Sequence, residues 1–119
     1  MKETEETVKK IIEACQEKKA KKIVTLDMTN LPGSICQYFV ICEGTTPTQV
    51  SAISEEIVEH LKKTINERPI TIDGLREAQW VGIDYGTIIV HIFIPELRSF
   101  YDIEHLWADA EFEHIPDIL

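Results

Sequence analysis

WVGIDYGTIIVHIFIPELRSFYDIEHLW, residues 80–107, joins two short apolar runs to an aromatic segment punctuated by a proline. Residues 80–84 and 87–94 have the length and the β-branched content of strands, and Tyr85-Gly86 between them predicts a tight hairpin. Pro95 lacks the N–H that a central ladder needs but fits the first turn of a helix. Residues 95–107 therefore read as one or two helical turns carrying Leu97, Phe100, Tyr101, Leu106 and Trp107. The stretch supplies bulk in Trp80, Tyr85 and Phe93 but no convergent nucleophile, base or metal ligand. Large aromatics beside a polar rim are the usual anchors of a protein–protein contact, so the first expectation is a binding protein.

Outward from this stretch the pattern alternates between helix and strand. Val8, Ile11, Ile12 and Cys15 recur at helical spacing, with Glu3, Glu5 and Glu6 before them and four lysines after. Residues 23–28 read as a strand that ends at Asn30, Pro32 and Gly33, and residues 36–42 as a second. Thr46, Pro47 and Gln49 form a helix start: a cap, a proline in the first turn and an amide three residues on. Val50, Ile53, Ile57, Leu61 and Ile65 line one side of the helix that follows, and Pro69 closes it. Residues 69–72 predict a brief strand and 73–78 a loop. The expected fold is a single α/β domain over residues 1–119, with a mixed, about five-stranded sheet flanked by helices. Residues 108–119, ADAEFEHIPDIL, read as an acidic tail that is flexible unless Phe112, Ile115, Ile118 and Leu119 dock it.

Composition narrows the function. A chain of 119 residues with 44% hydrophobic content has the size of one domain. Its net charge of -9 sets it against phosphate backbones, so direct nucleic-acid binding is not expected and a charged partner should be basic. No run reaches the ~18 apolar residues of a membrane span, and MKETEETVKK lacks the pattern of a signal peptide; a cytosolic protein is expected. Cys15, Cys36 and Cys42 have no zinc-type spacing. On one strand Cys36 and Cys42 would lie roughly 20 Å apart, so each is read as a small buried hydrophobe.

Candidate chemistry is sparse. Gly33-Ser34 resembles the pair that nucleotidyltransferases place ahead of two metal-holding carboxylates, but ICQYFVIC follows without an Asp-x-Asp, which favours turn chemistry. His91, between Val90 and Ile92, has no serine or cysteine paired with it and reads as a core or interface histidine satisfied by a neighbour. His60, His105 and His114 show no ligand pattern; neither metal nor cofactor is expected. Of the two tryptophans, Trp107 suits a core position, whereas Trp80 at the mouth of the hairpin suits an exposed anchor.

Several ordered motifs together resemble the ribosomal silencing factor family, also called Iojap-like. They are LDMTNLPGSICQYFVIC (26–42), EGTTPTQV (43–50), W-x-x-x-D-x-G (80–86), IIVHIF (88–93) and E-x-R-x-x-Y-x-x-E-x-L-W (96–107). The family commonly has an acidic residue where Gln37 stands and a serine near Thr46, and Pro47 is unusual. The resemblance implies a non-catalytic, homodimeric domain of nucleotidyltransferase-like topology. Such a domain binds the fourteenth protein of the large ribosomal subunit and sterically keeps the small subunit from joining, which lowers translation under nutrient limitation. Carried over by motif position, the contact residues are Trp80, Val81, Asp84, Tyr85, Glu96, Arg98 and Tyr101, with Arg98 alternatively an internal strut. A residual nucleotidyltransferase-type enzyme is the competing expectation.

Overall fold

Thr46 starts the longest helix as its sequence predicts. Its Oγ1 accepts the Gln49 N–H at 3.1 Å, and Gln49 Oε1 reaches back to accept the Thr45 N–H at 2.7 Å. The Gln49 amide also donates to the carbonyls of Lys18 and Lys19, which tie this helix start to the end of the preceding helix. Thr46→Ala is therefore expected to cost about 1 kcal/mol, read as a lower urea midpoint with an unchanged slope. A shift below a few tenths of a kcal/mol would show that Gln49 alone suffices.

A computed structural model describes residues 2–118. In chain order the elements are α1 (Lys2–Glu17), β1 (Lys21–Asp27), β2 (Tyr38–Glu43), α2 (Pro47–Ile65), β3 (Thr71–Asp73), β4 (Trp80–Asp84), β5 (Ile88–Phe93), α3 (Pro95–Tyr101), α4 (Ile103–Leu106) and β6 (Glu111–Ile115). The strands form one mixed sheet in the order β3-β4-β5-β2-β1-β6. Only β2 and β5 run parallel; the other neighbours are antiparallel. Gly86, at φ 89°, opens the β4–β5 turn, and Tyr85 and Ile88 close it, so the two-residue loop is Gly86-Thr87, one position later than expected.

Strand alternation divides the apolar side chains between two layers. Val40 and Cys42 of β2, Val81 and Ile83 of β4, and Ile88, Val90 and Ile92 of β5 meet Val8, Ile11, Val50, Ile53, Ile57 and Leu61 of α1 and α2. On the opposite face Val24, Leu26, Phe39, Ile41 and Phe93 pack under Leu97, Ile103 and Trp107 of the short α3–α4 segment. The helix layer is broad and the second layer small. Part of the sheet on that second side consequently has no helix over it.

The sheet has six strands rather than five, because part of the segment read as a tail is β6. Leu26 pairs with Phe112 and Ile23 with Ile115; Asp117 then accepts the Lys22 N–H at 2.8 Å. Ile115 packs on the core, whereas Phe112 and Ile118 stay exposed; Leu119 lies outside the described residues. Cys15 and Cys42, apart in sequence, face each other across α1 and β2 with their sulfurs 3.9 Å apart. The neighbouring Cys42 thiol and burial push the Cys15 thiol well above its ordinary range, so Cys15 stays a neutral core group.

Candidate functional site: the open face of the sheet

Residues of β4 alternate between the two layers, and this parity sorts the hairpin. Trp80, Gly82 and Asp84 point to the sparsely covered side, whereas Val81 and Tyr85 turn toward α1 and α2. Val81 is fully buried there. Tyr85 packs on the same core with its hydroxyl buried and unpartnered, and burial pushes that phenol up to about 12. The two-residue strand period thus sets Val81 and Tyr85, both expected at the contact, on the opposite side of the sheet from Trp80 and Asp84.

Trp80 sits half-buried at the centre of an aromatic group. Its ring stacks on Phe93, directly opposite on β5, with centroids 4.9 Å apart, and meets Tyr101 of α3 at 4.8 Å. Its Nε1–H donates to His91 Nδ1 at 3.1 Å. That bond assigns the remaining proton of His91 to Nε2, which is buried without a hydrogen-bond partner beside the edge-to-face ring of Phe39. Burial lowers the His91 pKa to about 4, so the ring is neutral at physiological pH.

Around this group the surface is apolar and acidic. Phe100 and Leu106 are 76% and 75% exposed on the short helices, and Tyr101 is half exposed. Glu96, in the first turn of α3, is exposed. A shallow concavity of about 390 Å³ lies between Trp80 and β3, lined by Asp73, Gly82, Asp84, Ile89 and His91 among others. A second concavity, about 530 Å³, lies elsewhere, between α2 and the Ile72–Leu75 segment, with Glu55, Glu56 and Glu59 and no aromatic wall.

Arg98 is an internal strut. Its guanidinium makes two bonds to Glu104, at 2.9 and 3.1 Å, one to Glu43 at 3.3 Å and one to the Lys22 carbonyl at 2.8 Å. Lys22, at φ 51°, stands in an irregularity of the β1–β2 register, where the ladder leaves its carbonyl for a side-chain donor. Burial alone would lower the Arg98 pKa, but the Glu104 bonds and the Glu104 and Glu43 charges outweigh it and raise it. Gly33-Ser34 lies in the turn between β1 and β2, with Gly33 at φ 76°. Among the described residues, no three His, Cys, Asp or Glu side chains converge in a metal-holding group.

A family model described as "Ribosomal silencing factor during starvation" matches residues 1–118. The chain belongs to the ribosomal silencing factor family. It is similar to the ribosomal silencing factor RsfS of Halalkalibacterium halodurans, 38% identical over 118 residues and 97% of each chain. A crystal structure of a Chromobacterium violaceum protein superimposes with a TM-score of 0.83 at 33% identity, covering 87% of this chain and 85% of that one. A more distant mouse relative, named mitochondrial assembly of ribosomal large subunit protein 1, is 31% identical over 78 residues, 64% of this chain and 34% of its own. Of the residues expected at this silencing factor's contact surface, Trp80, Asp84, Glu96 and Tyr101 lie at the surface on the α3 side of the sheet. Arg98 holds that side together from within. Gly82, His91 and Asp73, which the motifs did not single out, lie on the same face, and the period-2 register of a hairpin would have placed Gly82 beside Trp80.

Proposed function

We propose that this silencing factor binds the large ribosomal subunit through its fourteenth protein and, by bulk alone, keeps the small subunit from joining, which represses translation when nutrients are short. It does so without a catalytic step or cofactor, as a cytoplasmic homodimer. The observation that carries the reading is the Trp80–Tyr101 aromatic group, presented on an uncovered sheet face between carboxylates in a chain of net charge -9. Such a surface suits a basic protein: aromatic anchors supply burial, and the charges favour encounter and register.

Purified protein should co-sediment with isolated large subunits and deplete joined ribosomes on a sucrose gradient. Trp80→Ala should weaken binding roughly thirtyfold, the loss of about 2 kcal/mol expected of a central aromatic anchor. Trp80→Phe, which keeps the stack on Phe93, controls for folding. Unchanged subunit and joined-ribosome peaks at saturating protein would overturn the proposal, and light scattering of the purified chain tests the dimer.

A further inference from the structure

Cross-strand pairing sets eight positions of β3, β4 and β5 on one face of the sheet, with a glycine at their centre. Gly82 pairs with Asp73 on one side and His91 on the other; the next pairs are Thr71–Asp84–Ile89, and Trp80 pairs with Phe93. Gly82 is thus ringed by Trp80 and Asp84 along its own strand and by Asp73 and His91 across it. A Cβ built on Gly82 meets nothing within 4 Å, although the residue lies in mid-strand. A glycine costs stability at such a position and often marks a place where another chain approaches closely.

We propose that the void over Gly82 is a subsite for one arginine side chain of the protein partner. The aliphatic stem lies over Gly82 and Ile89, the guanidinium plane rests against the Trp80 indole, and Asp73 and Asp84 accept its N–H groups. The concavity there is about 390 Å³, ample for one side chain, and among the described residues lining it Asp73 and Asp84 carry the only charges. Thr71 pairs with Asp84 and Asp73 with Gly82, so Asp73 and Asp84 are diagonal neighbours with Cα atoms roughly 7 Å apart, near enough for one forked donor to reach both carboxylates. His91, uncharged at neutral pH, does not oppose the cation. The indole's own hydrogen bond to His91 fixes the orientation of the ring that a planar cation would meet beside the void. The Asp84 Oδ1 atom also accepts the Gly86 N–H at 2.7 Å, so that carboxylate is held in place before any partner arrives.

The inference rests on the proposed ribosomal contact, and two experiments separate their failures. Gly82→Val fills the void with a side chain that suits a strand, so it should fold at least as stably as the parent yet bind large subunits tenfold or more weakly. Asp73→Asn with Asp84→Asn, which keeps the Gly86 bond, should weaken binding similarly and flatten its salt dependence. If Trp80→Ala abolishes binding while both variants bind like the parent, the subsite is refuted and the ribosomal reading stands. Independently of ribosomes, N-acetyl-arginine amide should shift the Trp80 indole resonance of the Trp107→Phe protein, and the uncharged isostere N-acetyl-citrulline amide should not. Equal shifts from the two, or no shift from either, would overturn the subsite even if subunit binding is found.

Discussion

Replacing Arg98 with methionine is expected to lower the unfolding free energy by about 3–5 kcal/mol, the cost of leaving a buried charge without its partner. The Arg98 and Glu43 side chains are each only 11% exposed, and Glu104 is 24% exposed, so water replaces the guanidinium only in part. The Lys22 carbonyl would lose its donor as well. Urea unfolding measures the loss. Combining Arg98→Met with Glu43→Leu and Glu104→Leu should recover much of it, because apolar groups of similar volume remove the stranded charges. A cost under about 1 kcal/mol, typical of an exposed ion pair, would refute the strut. Arg98 fastens α3 and α4 to β1 and β2, so its loss should also displace Tyr101 from Trp80 and weaken partner binding without Arg98 touching the partner.

Acidification should destabilise the protein through His91. In the unfolded chain this ring takes up its proton near pH 6.5, and in the folded chain only near pH 4. Between those values the unfolded state binds more protons, so stability rises with pH. The contribution is fully present above pH 6.5 and is lost as pH falls to about 4; at about 1.4 kcal/mol per pH unit it amounts to about 3 kcal/mol. Protonation also removes the acceptor for the Trp80 N–H. His91→Asn places an amide oxygen near the position of Nδ1 and does not titrate. Its stability should therefore be flatter than the parent's from pH 6.5 to 4, with the Trp80 environment kept. Parallel stability curves for the two proteins would show that His91 does not govern this window.

How far each element was legible follows from the range of the forces that make it. The two long helices and the strands β1, β2, β4 and β5 write their burial into local periodicity, and Thr46, Pro47 and Gly86 mark boundaries through their own backbone chemistry. β6 carried no such signal: Glu111, Glu113 and His114 make it polar, and it is a strand because β1 has a free edge, 84 residues earlier at Asp27↔Glu111. Of the motif residues, Trp80, Asp84, Glu96 and Tyr101 lie on the α3 side and Val81 and Tyr85 on the side of α1 and α2, a division set by the side on which each strand residue emerges, which a motif does not carry. Arg98 was left between contact and strut because its three partners, Lys22, Glu43 and Glu104, come from three separate parts of the chain.

The sequence by itself determined the α/β class, the family and the aromatic character of the surface, since these depend on composition, spacing and ordered motifs. Tertiary structure alone decided that α1 and α2 cover one side of the sheet and leave part of the other open, that a half-buried histidine orients Trp80, and that Gly82 sits in a ring of Asp73, Asp84, His91 and Trp80. The physical reason is that a strand's neighbours are chosen by which edges and faces remain unpaired once the whole sheet has assembled, and no local stretch of chain carries that information.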